Sequence, residues 1–347
     1  MVYSNTESIN FAPYKPRKAM IRQLIIILVA IALPTIGSAQ LCAMRNKVEQ
    51  GYDFWLYLPE SYKASKAKAK AEPLPIVLFL HGRSLSGNDL TRVLNYGTLD
   101  ALEAGLKLNA VVIAPQSGGG WWDPQRIMRV VDWVIANYNV DASRLYALGM
   151  SLGGYGTLDL AATYPDRIAA AMALCGGSTL KSPTALCDVP LWIMHGTADK
   201  DVPVSASRRV KNIMRKSGGT HRLRYKELVG VKHSLLARVF YLPQTYEWLM
   251  SHSTTDRRRK VNRRISITVH DIRNAYNGLK HNSVTLYSAT VTSSPDKGSA
   301  TDYYTVKAGD TLWRIAQMHN TSVKRLCELN GITEKSVIKV GDRLKVR

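Results

Sequence analysis

The chain is 347 residues long and carries 47 Lys and Arg against 26 Asp and Glu, a formal net charge of +21. Such an excess favours a polyanionic partner through long-range attraction that salt weakens, yet no recognisable nucleic-acid-binding motif accompanies it, so no nucleic-acid partner is expected. The four cysteines, Cys42, Cys175, Cys187 and Cys327, form no C-x-x-C pair and nothing resembling a metal-ligand cluster, and neither a metal nor another cofactor is expected.

Lys15, Arg17, Lys18 and Arg22 precede the apolar run 24–33, and Gly37-Ser38-Ala39 supplies small residues behind it. A basic region, an apolar stretch of about ten residues and a small-residue cleavage site describe a secretory signal peptide over residues 1–39, cut after Ala39. The run is short for a membrane span, which needs about twenty apolar residues. Ala39-Gln40-Leu41-Cys42 also lacks the small residue that a bacterial lipoprotein signal places before its cysteine. The expectation is an exported protein, periplasmic or extracellular and cell-wall associated, with no stable span after cleavage.

Asp53 to Leu58 alternates aromatic and apolar residues as an early strand does, and Lys63 to Lys70 is a charged, low-complexity loop. Pro75 to Leu80 is continuously apolar, the pattern of a strand buried on both faces of a parallel sheet. His81-Gly82-Arg83-Ser84 follows it directly. Ala110 to Pro115 is the next strand, and it runs into Gln116-Ser117-Gly118-Gly119-Gly120-Trp121-Trp122. A glycine-rich loop at the carboxyl end of such a strand lies on the ligand-binding face of open α/β sheets. Trp121 and Trp122 are therefore candidates for a substrate wall, with anchoring of the loop to its own core as the equal alternative. From Asp123 to Asn139 the apolar residues Ile127, Val130, Val131, Val134 and Ile135 recur at helical spacing. Strands alternating with helices imply a mainly parallel sheet.

Leu148-Gly149-Met150-Ser151-Leu152-Gly153-Gly154 contains G-x-S-x-G between an apolar run, Arg144 to Leu148, and a helical stretch, Thr157 to Thr163. Strand, sharp turn and helix are the context of a nucleophile elbow, which lifts a serine hydroxyl above the sheet. A serine hydroxyl is a poor nucleophile at neutral pH, so a carboxylate and a histidine are expected downstream. The apolar strand 189–194 leads into His195-Gly196-Thr197-Ala198-Asp199-Lys200-Asp201-Val202-Pro203; the strand 223–229 leads into Gly230-Val231-Lys232-His233. Asp201 is an alternative acid to Asp199. His221, opening a strand, and His252, ending a helix, read as solvated or capping side chains. Cys175 and Cys187 both fall in the connection between neighbouring strands, as a disulfide or as two separate thiols.

With Leu78-Phe79-Leu80-His81-Gly82, the G-x-S-x-G elbow, His195-Gly196-x-x-Asp199-x-x-Val202-Pro203 and the late His233 in this order, residues 51–252 resemble the α/β-hydrolase superfamily. The similarity is greatest to secreted serine esterases and predicted peptidases related to feruloyl and acetyl-xylan esterases. That resemblance implies an α/β-hydrolase fold over residues 40–252. It also implies Ser151 as nucleophile, His233 as general base and acid, Asp199 as the residue that orients it, and His195 as structural. The oxyanion donors it implies are the backbone N–H groups of Leu152 and of Arg83, with Ser84 as the alternative to Arg83.

After His252 the composition changes. Residues 253–347 hold 18 Lys and Arg against 8 Asp and Glu, and 253–302 reads as a basic, Ser/Thr-rich linker with a short strand at Ile265 to Val269. From Tyr303 the pattern is a strand, a turn at Ala308-Gly309, a helix capped by Asp310 or Thr311, a second helix and a terminal strand. Gly309-Asp310-Thr311-Leu312, Asn330 and Val340-Gly341 make residues 303–347 resemble a lysin motif (LysM). That is a small βααβ module binding N-acetylglucosamine-containing glycans such as peptidoglycan or chitin, and Gly309, Asp310, Thr311, Leu312 and Asn330 are its candidate glycan positions. Together the motifs predict an exported serine hydrolase acting on carbohydrate or cell-wall acyl esters. A serine peptidase of the same fold, and a glycan-binding protein with an inactive hydrolase scaffold, are the alternatives.

Overall fold

A computed structural model describes residues 39–62 and 72–277, and beyond them 279, 285–287, 303–306, 312, 315, 323–333, 336, 338 and 340–346. The expected signal peptide and the Lys63 to Lys70 loop lie outside the described residues. Among the described residues no helix is long and apolar enough to cross a membrane. The chain divides between Ser288 and Ala289 into two units.

The first unit is built on one mixed sheet. Its strands are β1 (Gln40–Met44), β2 (Phe54–Leu58), β3 (Leu74–Leu80), β4 (Val111–Pro115), β5 (Val140–Met150), β6 (Ala170–Leu174), β7 (Leu191–Gly196), β8 (Leu223–Leu228) and β9 (Thr285–Tyr287), in the order β8-β7-β6-β5-β3-β4-β2-β1-β9. The run from β4 through β3 to β8 is parallel, whereas β2 is antiparallel to both β1 and β4. Continuous apolar sequence becomes burial on two faces. In β3, Val77 and Phe79 join one core while Ile76, Leu78 and Leu80 join the other, and β4 to β7 alternate in the same way. Helices α1 (Thr98–Glu103) and α5 (Pro243–Met250) cover the first face; α2 (Pro124–Asn137), α3 (Leu152–Thr163) and α4 (Ser205–Lys216) cover the second. Asp123 caps α2 by accepting the Gln125 and Arg126 N–H groups, and Pro124 opens it.

The linker expectation needs correction. Residues 253–277 belong to the body of the first unit, with Val261, Ile267, Ile272 and Ala275 buried in its core. Two of the cations that made this stretch look solvated, Arg259 and Arg263, point at backbone carbonyls. Arg259 donates to Pro165 O at 3.0 Å and to Ile168 O; Arg263 donates to Leu223 O at 3.0 Å. Arg224 lies over the Trp192 ring at 3.8 Å and donates to Ile265 O. No strand forms at Ile265 to Val269. Thr268 instead caps α6 (Val269–Arg273) in a capping box with Asp271, a local exchange of hydrogen bonds that outcompetes extension. His252 is not solvated: it is buried, contacts Trp248 O through Nδ1 at 2.8 Å and accepts the Asn262 N–H at 3.0 Å.

In the second unit, β10 (Tyr303–Thr305) pairs antiparallel with β11 (Arg343–Lys345), residues 312 and 315 are helical, and α7 (Val323–Asn330) follows. Val306, Leu312, Ile315, Leu326, Leu344 and Val346 form its core. Leu312 is thus a core residue, not a glycan contact. Asn330 is a clamp: its amide donates to Leu326 O and Lys345 O, both at 2.8 Å, and its oxygen accepts the Lys345 N–H at 2.7 Å. Gly309, Asp310 and Thr311 lie outside the described residues.

Candidate active site

The carboxyl ends of the parallel strands surround a cavity of about 760 Å³ whose lining includes Arg83, Ser151, Leu152 and His233. Ser151 is the single residue between β5 and α3, at φ 57° and ψ −122°. A side chain at positive φ costs on the order of 1–3 kcal/mol and persists where the surroundings over-determine it. Here the Ser151 N–H is tied to Leu174 O at 2.9 Å. Gly153 admits the close approach of α3 to β3, since a Cβ there would overlap Leu80 O. The hydroxyl is therefore held at the cavity wall by backbone geometry.

Asp199 follows β7 in a tight turn. Its Oδ1 accepts the Asp201 and Val202 N–H groups, each at 2.9 Å, and its Oδ2 is 2.7 Å from His233 Nδ1. The carboxylate is closed off from solvent. Burial alone would raise its pKa, but the N–H groups of Val202 and Asp201 and the His233 ring hold it below the ordinary carboxylate value. Asp201 contributes its backbone N–H to that turn and is exposed, so the acid facing His233 is Asp199. His195 is fully buried, with Nδ1 2.9 Å from Ser207 Oγ and Nε2 3.0 Å from Val202 O. Burial lowers its pKa, which suits a neutral, structural ring. His221 is exposed.

Leu152 begins α3 and Arg83 begins a 3₁₀ turn, Arg83–Leu85. The first N–H groups of a helix have no partner within it, so both positions offer donors at the cavity. His81 fixes the loop that carries Arg83. Its Nε2 accepts the Ser117 N–H at 3.0 Å, which leaves Nδ1–H to donate to Gly82 O at 2.8 Å. Burial pushes its pKa down to about 4, so it stays neutral.

The tryptophan pair divides. Trp121 is 57% exposed, lines the cavity and packs on Tyr155 with ring centroids 5.2 Å apart. Trp122 is buried against Tyr52 and His81 and donates its indole N–H to His81 O at 3.2 Å, which makes it a loop anchor and not a substrate wall. Cys175 and Cys187 are not joined. Cys175 sits instead at φ 39° beneath the site, its sulfur within 4.8 Å of the Asp199 and His233 ligand atoms. Burial, then the Asp199 charge, raise its thiol well above the usual range, so it is protonated at neutral pH and is a poor metal ligand. Sequence reasoning did not single out Tyr96 or Tyr155, which also line the cavity; isolated tyrosines carry no motif.

Residues 46–232 match the family described as putative esterase, and residues 304–347 match the LysM domain. The chain belongs to the putative esterase family and carries a C-terminal LysM domain. Among curated relatives, a bifunctional acetylxylan esterase/xylanase of Neocallimastix patriciarum is 27% identical over 157 residues, covering 43% of this chain and 22% of that protein. Feruloyl esterase B of Neurospora crassa is 45% identical over 58 residues, 17% of this chain and 20% of that protein. The chain thus spans about a fifth of the length of these relatives. Among solved structures, a thermostable esterase is 24% identical with a TM-score of 0.48, covering 58% of this chain and 59% of its own.

Proposed function

We propose that this protein is an exported serine esterase that removes acyl groups from carbohydrate or cell-wall material through an acyl-enzyme on Ser151. The observation that carries the reading is the Asp199–His233 hydrogen bond, at 2.7 Å, opening on the same cavity as a serine held at positive φ. In this mechanism Ser151 Oγ attacks the ester carbonyl while His233 Nε2 takes its proton. Asp199 holds the Nδ1–H and stabilises the imidazolium. The N–H groups of Leu152 and Arg83 face the tetrahedral oxyanion. The alcohol leaves with the proton from His233, and a water activated by the same ring then releases the acid and restores Ser151.

Three features support the substrate class and location. The named relatives act on acetylated xylan or feruloyl esters, the exposed Trp121 face suits a sugar or phenolic ring, and a LysM domain implies a glycan bearing N-acetylglucosamine. Strand β1 begins at Gln40, one residue past the expected signal cleavage point.

Initial rates on p-nitrophenyl acetate and butyrate, for the mature protein and for Ser151→Ala, test the reading. Turnover by the wild type and a loss of about a thousandfold or more in the variant is expected. Equal rates, or none in either, would overturn it and direct attention to peptide substrates or to glycan binding alone. Co-sedimentation with insoluble peptidoglycan tests the LysM assignment separately.

A further inference from the structure

As Ser151 attacks, the carbonyl oxygen of the ester gains negative charge, and donors aimed at it in advance stabilise that charge most. Two backbone N–H groups serve in the mechanism above. Tyr96 places a phenol on the wall of the same cavity. Its hydroxyl oxygen accepts the Gly82 N–H at 3.0 Å, one residue before Arg83. The point where a Cβ on Gly82 would stand is 2.7 Å from that oxygen and 3.6 Å from Ser151 Cβ. The phenol is thus bonded to the loop that carries Arg83 and lines the same cavity as Ser151, Arg83, Leu152 and His233.

A phenol has one proton and two lone pairs. The Gly82 N–H occupies a lone pair, so the O–H is turned away from that amide, and the Ser84 hydroxyl beside it can rotate to donate in its turn. Burial raises the pKa of this phenol against the opposing hydrogen bonds from Ser84 and Gly82, so it keeps its proton at neutral pH. Its position is set by the fold. The next residue, Gly97, has φ 102° and packs so tightly on Phe79 that a Cβ would overlap the ring, which pins the turn to β3.

We propose that the Tyr96 hydroxyl is a catalytic residue that donates a third hydrogen bond to the oxyanion formed at Ser151. The inference rests on the serine-esterase reading. Tyr96→Phe removes the donor and keeps the ring. The expected result is a fall in kcat of about a hundredfold with KM within about twofold. A trifluoromethyl ketone, which forms a tetrahedral adduct with an oxyanion on Ser151, should lose affinity by the same factor. Retention of kcat within twofold, a change in KM alone, or a fall in kcat with unchanged affinity for the ketone would overturn the proposal and leave Tyr96 as a support for Gly82. If Tyr96→Phe does not fold, 3-fluorotyrosine at position 96 keeps the shape and strengthens the donor. Tighter ketone binding is then expected, and unchanged or weaker binding overturns the proposal. A wild type that turns over no ester overturns the esterase reading and this one together; turnover abolished by Ser151→Ala but untouched by Tyr96→Phe overturns this one alone.

Discussion

The cavity at the strand ends and the segment 253–277 are both rich in polar side chains and use them in opposite ways. Around the cavity, Ser151 and His233 line open volume together with Leu152 and Arg83, which begin α3 and the 3₁₀ turn. In the segment, the polar groups that matter to the fold are taken up by the protein itself. Arg259 is bonded to the carbonyls of Pro165 and Ile168, Asn262 N–H to His252, and Thr268 and Asp271 to each other. A donor matched to a buried carbonyl holds a fold together; a donor aimed at space a substrate can enter is available for chemistry. Composition does not separate the two cases, because an arginine reads the same in either.

Asp199→Asn sharpens the contrast most. The amide cannot hold the His233 ring in its working tautomer, and kcat should fall by about 10⁴-fold, measured on the same p-nitrophenyl esters, with the fold retained by circular dichroism. Trp122→Ala should cost about 3–5 kcal/mol of stability in a urea titration, as buried Trp truncations do. Trp121→Ala should leave stability within about 0.5 kcal/mol and alter KM for aryl esters; reversed outcomes would break the division between anchor and cavity wall. Ile267→Ala, in the segment that reads as a linker, should cost about 3 kcal/mol while leaving kcat unchanged. A stability equal to the wild type would return 253–277 to a linker. The smallest effect concerns pH. Asp199 has its carboxyl pKa depressed in the folded state, so its contribution is present above the ordinary value of 3.8 and is lost as pH falls through the lower folded value. Acid unfolding below about pH 4 should therefore be shallower in Asp199→Asn than in the wild type.

Much of the site was legible because its parts are local. The elbow is seven consecutive residues, and its glycines, apolar strand and helix are the causes of the backbone turn that Ser151 adopts. The order of Ser151, Asp199 and His233 follows from the parallel sheet, which brings the ends of β5, β7 and β8 to one edge. The two tryptophans were not separable in sequence. Adjacent residues of a glycine-rich loop face different ways, and only the packing of His81 and Tyr52 decides which indole is enclosed. Asn330 and Leu312 were likewise legible as LysM positions without showing that both face inward.

By itself, then, the sequence pointed to the α/β order of elements, the sharp turn at Ser151, the pairing of Asp199 with His233, and the division into a hydrolase and a LysM segment, since each depends on spacing along a few residues or on strand succession. Only the tertiary structure decided that residues 253–277 close the hydrolase core, that Cys175 lies close to Asp199 and that Tyr96 reaches the loop at Gly82. Those contacts join residues far apart in the chain, and side chains of the same type are interchangeable in composition until folding gives each one a neighbour.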